Sequence, residues 1–109
     1  MPRPMEDIRV LDLTWVLAGP FASMILADLG AEVVKVERPP NGDISRTTGP
    51  YQNGWSGYFF SINRGKKSIS IDLRSGDGKE LFLKLVEKAD VVIENFTPGT
   101  MARLGLGYD

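Results

Sequence analysis

Apolar residues recur along this chain with two periods, and the switches between them mark out the elements. Residues 8–13 (IRVLDL) are apolar at nearly every position, as in a strand buried on both faces of a parallel sheet. The run breaks at Leu17-Ala18-Gly19-Pro20. Pro20 suits the first turn of a helix, where its missing N–H leaves no bond unmade. Phe21, Met24, Ile25 and Leu29 continue that helix, and Gly30 is a natural stop. Val33, Val34 and Val36 give a second, β-branched strand. A third strand is predicted over residues 68–73, where Ile69, Ile71 and Leu73 alternate with polar positions. Residues 77–88 read as an amphipathic helix. Leu81, Phe82, Leu85 and Val86 form its stripe, Lys79, Lys84, Glu87 and Lys88 face water, and Asp77 with Glu80 resembles a capping box. Residues 90–94 give a fourth strand, and Pro98 opens a short helix over residues 99–104 that Gly105 stops.

Two stretches lack a clear period. The residues through Asp7 form a frayed lead-in. Residues 38–57 are rich in Pro, Gly, Asn, Ser and Thr and read as a long functional loop. Trp55, Tyr58, Phe59 and Phe60 close that loop and pin it to the core. The segments 31–37 (AEVVKVE) and 89–94 (ADVVIE) resemble each other, and each follows an amphipathic helix. Strands alternating with helices in this way predict an α/β fold, a mostly parallel sheet with flanking helices.

Composition narrows the chemistry. A net charge of −1 gives no global field toward nucleic acid or a membrane surface. No apolar run is long enough to span a bilayer, and the first residues lack a signal-peptide core. Cys is absent, which removes disulfides and thiol nucleophiles and fits a cytoplasmic home. His is absent too, so a general base must be a carboxylate, Lys or Tyr, and neither a His triad nor a zinc site is expected.

The candidate chemistry gathers at strand ends. Each predicted strand stops at or beside a carboxylate: Asp12, Glu37, Asp72 and Glu94. Arg38, Arg74 and Asn95 come just past three of them, and Arg103 follows closely. A parallel sheet collects these ends on the edge where open α/β proteins bind ligands. Arginines, helix N-termini and the N–H groups of the turn together suit a phosphate-bearing ligand. Any one of these arginines taken alone is better explained as solvated, or as paired with Glu37, Asp43 or Glu94, and the case for a ligand rests on the set. The dinucleotide fingerprint G-x-G-x-x-G is missing, and Glu37 as a ribose-binding acid is a single-residue match. Residues 64–68 (RGKKS) lack the glycines and spacing of a phosphate loop and read as a solvated basic turn.

Segments 11–21 (LDLTWVLAGPF), 27–39 (ADLGAEVVKVERP), 42–46 (GDISR), 63–68 (NRGKKS) and 94–99 (ENFTPG) occur in register. Together they resemble the N-terminal part of class III CoA-transferases, the family of formyl-CoA, carnitine and bile-acid-inducible CoA-transferases. The resemblance implies that residues 1–109 are the N-terminal part of a Rossmann-like CoA-binding domain, with no second domain in the chain. It implies coenzyme A as substrate and acyl carrier, no metal, and transfer of CoA between an acyl-CoA and a carboxylic acid. Carried onto this sequence, the family's CoA contacts fall at Leu17, Ala18, Arg38, Ile71, Asp72, Leu73, Arg74, Asn95, Phe96, Thr97 and Arg103. Ile71 and Leu73 flank the adenine in that reading, and serve equally well as core positions of a strand.

Two departures refine the resemblance. Leu17 stands where formyl-CoA transferases place a Gln, and Trp15 fills a position often basic or polar, so formyl/oxalate specificity is not expected. The sister α-methylacyl-CoA racemases resemble a Gly-x-Gly-Pro-Gly-Pro-His turn, whereas this chain reads Leu-Ala-Gly-Pro-Phe, which favours transferase over racemase. The family's nucleophile is an Asp that forms a mixed anhydride and then an aspartyl-CoA thioester, and no carboxylate here matches its motif. Asp12 is expected to buttress the turn instead. The chain therefore reads as a fragment or split product, inactive alone, of a protein whose relatives form interlocked homodimers. A non-catalytic CoA- or nucleotide-binding module and the α-methylacyl-CoA racemase-like branch are the alternatives.

Overall fold

The computed structural model describes residues 1–108. In chain order the elements are β1 (Arg9–Asp12), α1 (Ala18–Asp28), β2 (Glu32–Glu37), a 3-10 helix (Ile44–Thr47), β3 (Tyr51–Gln52), β4 (Trp55–Ser56), α2 (Gly57–Asn63), β5 (Lys67–Ser70), α3 (Gly76–Val86), β6 (Val91–Ile93) and α4 (Thr100–Arg103). The main sheet runs β5-β2-β1-β6, all parallel, as the alternation of periods predicts. β1 sits in the middle, with Leu11 facing Val34 on one side and Val92 on the other. The two similar valine segments thus flank the same central strand.

Side chains alternate between two cores. Leu11, Leu13, Val36 and Ile71 face α3, whose Phe82 is buried among them. Val10 and Val33 face α1 through Ala27, with Ala31 of the α1–β2 connection beside them. A sheet covered on both faces needs apolar residues at consecutive positions, which is why β1 reads as a continuous run.

The structure corrects four local readings. Residues 38–57 are not structureless: they hold the 3-10 helix and the β3-β4 hairpin. The aromatics that close this stretch lie on and beside α2, a helix the composition does not announce. Phe59 is buried, whereas Trp55 and Phe60 pack on each other at the surface. The cap of α3 is Ser75, whose Oγ accepts the Gly78 N–H at 2.9 Å, so Asp77 sits in the first turn rather than capping it. Leu81 is exposed; Phe82, Leu85 and Val86 carry the packing face.

Candidate functional site

The turn after β1 is held from five directions. Thr14 N–H donates to Asp12 Oδ1 at 2.8 Å, and the Thr14 hydroxyl donates to the same oxygen. Lys35 Nζ donates to Thr14 O at 2.9 Å. Asn95 grips Trp15 by both backbone groups, accepting its N–H at 3.1 Å and donating to its carbonyl at 3.0 Å. Asp43 Oδ1 accepts the Val16 N–H at 3.1 Å. Lys66 Nζ donates to Pro20 O at 3.0 Å and pairs with Asp12 Oδ2 at 3.0 Å. Within this cage Val16 has φ 71°, a left-handed conformation that a β-branched residue keeps only when its surroundings enforce it. Gly19 is required by space: a Cβ there would lie 2.4 Å from the Thr14 side chain.

The cage contains two lysines that the sequence pattern hides. Lys35 is 1% exposed inside β2 and pairs with Asp43 at 2.8 Å. The Lys66 side chain is equally enclosed, so the basic turn is not wholly solvated: Lys66 turns inward, while Arg64 pairs with Asp28 at the surface. Burial pushes the Lys66 ammonium down, and the charge and hydrogen bond of Asp12 only partly restore it. Asp43 feels the reverse balance. Burial raises its carboxyl, but Lys35 and the N–H groups of Ser45 and Val16 outweigh that and lower it. Glu37 likewise resists burial. Arg46 grips both its oxygens at 2.8 and 2.7 Å, with the Asp43 N–H at 2.8 Å and the Ser68 hydroxyl, and its pKa falls to about 2. Glu37 is therefore spent on Arg46 and does not present a free acid to a ribose.

Over this cage opens a cleft of about 360 Å³ at the carboxyl ends of the strands. Its floor and walls are apolar: Leu13, Val36, Ile71, Leu73, Phe96 and Leu104. Arg38 and Arg74 stand on its wall and also border a second cleft of about 330 Å³. The Arg38 guanidinium lies 5.1 Å from the centre of the Trp15 ring, whose other neighbour is Phe96 at 5.8 Å, edge-on. The chain leaves β1 for the α1 face, whereas α4, after β6, packs on the α3 face through Met101. The cleft mouth at Trp15 and Phe96 is therefore the switch point where open α/β sheets bind ligands.

The family model of CoA-transferase family III matches residues 5–109. The chain belongs to this family. It is 53% identical to succinyl-CoA:mesaconate CoA-transferase of Haloarcula hispanica, over 96% of this chain and 28% of that protein. It is 49% identical to human succinyl-CoA:glutarate CoA-transferase, over 98% of this chain and 25% of that one. Among solved structures, a CAIB/BAIF family protein from Brucella suis superposes with a TM-score of 0.91 at 45% identity, over 99% of this chain and 30% of its own. The chain thus spans between a quarter and a third of the length of these relatives.

Of the residues the sequence singles out in this family III chain, Arg38, Ile71, Asp72, Leu73, Arg74, Phe96 and Thr97 line the cleft together. Leu17 and Ala18 are exposed at the N-terminus of α1, outside the lining. Asn95 is engaged with Trp15. Arg103 Nη2 donates to the hydroxyl of Thr100, itself a cleft residue, at 3.0 Å. Asp72 holds the Arg74 N–H at 2.9 Å, and Glu94 holds the Phe96 N–H at 2.8 Å, each shaping its own strand-end turn. Asp12 buttresses the turn, as expected. Sequence reasoning missed Lys35, Asp43 and Lys66 as parts of the site, and named Trp15 only as a departure from the family's turn. A lysine amid the valines of 33–36 was the one readable sign.

Proposed function

We propose that this chain carries the CoA-binding edge of a CoA-transferase that moves CoA between an acyl-CoA and a carboxylic acid. In that reading residues 1–109 are the N-terminal part of a Rossmann-like CoA-binding domain, and the whole protein is an interlocked homodimer like its family. The observation that carries the reading is the cleft itself, which pairs apolar walls with Arg38 and Arg74. Such a surface matches a nucleotide that presents a flat apolar ring and several phosphates. The chemistry is supported by the names of the two CoA-transferases quoted, succinyl-CoA:mesaconate and succinyl-CoA:glutarate CoA-transferase.

The cleft also argues for binding without turnover by this chain alone. Among the described residues its carboxylates are Glu37, Asp43 and Asp72. The first two are held by Arg46 and Lys35, and the third shapes the Arg74 turn. Each thus has a structural role, which supports the reading that the nucleophile is not among them. Calorimetry is expected to show CoA binding by the chain with no transfer between succinyl-CoA and a dicarboxylate. Arg38→Ala should weaken CoA binding about 10- to 100-fold, the loss expected for a charge-assisted phosphate contact. Unchanged affinity in that variant would remove Arg38 from the site.

A further inference from the structure

Arg38 projects from the end of β2 into a region dense with carboxylates, yet none neutralises it. Glu37, its chain neighbour, is gripped by Arg46, and Asp43 is gripped by Lys35. Among the described residues no carboxylate lies within ion-pair distance of Arg38. Its recorded partner is the indole of Trp15. An exposed arginine has many rotamers, and ordering it for a ligand costs entropy. A cation held over an aromatic face has part of that ordering done before the ligand arrives.

Trp15 is itself held by residues distant in the chain. Asn95, eighty residues away in the chain, binds both the N–H and the carbonyl of Trp15, so the peptide groups on either side of this residue are engaged by one side chain. Phe96, the next residue, packs edge-on against the ring. On the other side the strained Val16 and its bond to Asp43 set the direction in which the chain leaves Trp15. Trp15 is thus oriented by the end of β6 and the loop after β2, and it in turn orients Arg38.

We infer that Asn95 and Trp15 are positioning residues that pre-set Arg38 for a phosphate group of the ligand, and that the Asn95 side chain acts through Trp15 rather than on the ligand. The inference rests on the CoA-binding reading. It explains why a bulky aromatic occupies a position at the cleft mouth that needs neither charge nor hydrogen bonding. It also recasts Asn95, a candidate ligand contact by sequence, as the link between two strand ends.

The test uses the 109-residue chain, with CoA as the probe in calorimetric titrations. Trp15→Leu keeps bulk but removes the aromatic face, while Trp15→Phe keeps a face. Trp15→Leu is expected to weaken CoA binding by roughly 5- to 10-fold, the scale of a cation–π contact, and Trp15→Phe by less. In an Arg38→Ala background Trp15→Leu should have no further effect, because its contribution passes through the guanidinium. Asn95→Asp, which cannot donate to the Trp15 carbonyl, should behave like Trp15→Leu in both backgrounds. It should also shift the Trp15 fluorescence in a Trp55→Phe chain, where Trp15 is the remaining indole. Thermal midpoints check that each variant folds, and Trp15→Phe keeps the test open if Trp15→Leu does not. Equal losses with and without Arg38 would overturn the inference, since they would mean that Trp15 touches the ligand or only supports the fold. Full affinity in Trp15→Leu would overturn it as well. Failure of the unaltered chain to bind CoA would instead overturn the functional reading on which the inference stands.

Discussion

At the scale of single residues, the unusual feature is the charge buried beneath the turn after β1. Asp12, Lys35, Asp43 and Lys66 are almost wholly enclosed, and their pairs tie β1, β2, the following loop and the residues before β5 to one point. Removing one member of such a pair leaves the other charge buried and uncompensated. Lys66→Met is expected to destabilise the chain by about 3–5 kcal/mol in urea unfolding, far more than truncating an exposed lysine such as Lys84. A loss equal to that of Lys84→Met would show that water reaches Asp12 freely. Glu37 supplies the pH dependence. Its carboxyl sits at about 2 in the folded chain against an ordinary value of 4.5. The folded state therefore holds fewer protons between those values. The stabilisation is complete above about pH 4.5, on the order of 3 kcal/mol, and fades as pH falls toward 2. Glu37→Gln should flatten the acid limb of a stability–pH curve, and an unchanged limb would assign it to other carboxylates, Asp43 first.

At the scale of elements, helix ends decide where the cleft walls stand. α3 begins at Ser75 because its hydroxyl accepts the Gly78 N–H and its own N–H bonds Asp72 O at 3.2 Å. The start of the helix is thereby locked to the Asp72–Arg74 turn that lines the cleft. Gly78 packs so close to Asp72 that a Cβ would lie 1.9 Å from its carbonyl oxygen. Ser75→Ala should cost about 1 kcal/mol, measured by chemical denaturation, whereas Asp77→Asn should cost only a few tenths through the helix dipole. The reverse order would restore Asp77 as the cap. The capping-box pattern misleads here because Ser75, Asp77 and Glu80 offer two overlapping candidate caps, and only the backbone φ and ψ at each position choose between them.

At the scale of the whole molecule, the chain is a slab. Its extents are 39 × 37 × 23 Å, and its radius of gyration is 14.1 Å, against about 13 Å for a compact domain of this length. The main sheet has open edges at β5 and β6 among the described residues, and Val91 and Val92 on β6 are exposed. Unpaired edge groups beside apolar side chains invite strand pairing with another chain. Sedimentation velocity should show the 109-residue chain associating as concentration rises, and Val92→Lys should suppress that. A monomer at every concentration would show that the edges are blunted enough as they stand. Among the described residues no helix is long and apolar enough to cross a membrane.

The sequence by itself determined β1, β2, β5 and β6 with the helices α1, α3 and α4, the parallel sheet, and the placing of Arg38, Asp72 and Arg74 on one edge, whereas Ile71, Leu73, Phe96 and Thr97 were reached through the family resemblance. The elements and the strand-end charges follow from local period and from the direction of parallel strands, which a linear pattern carries. Only the tertiary structure decided which charged residues face the cleft and which are consumed. Glu37 and Arg38 are adjacent in the chain, yet one is buried on Arg46 and the other stands on the cleft wall against Trp15. Lys66 and Lys67 are adjacent too, and one enters the core while the other reaches Glu32 at the surface. At the ends of β2 and β5, neighbouring side chains leave the backbone in different directions. The partner that awaits each is set by a residue far away in sequence, so no local pattern could reveal it.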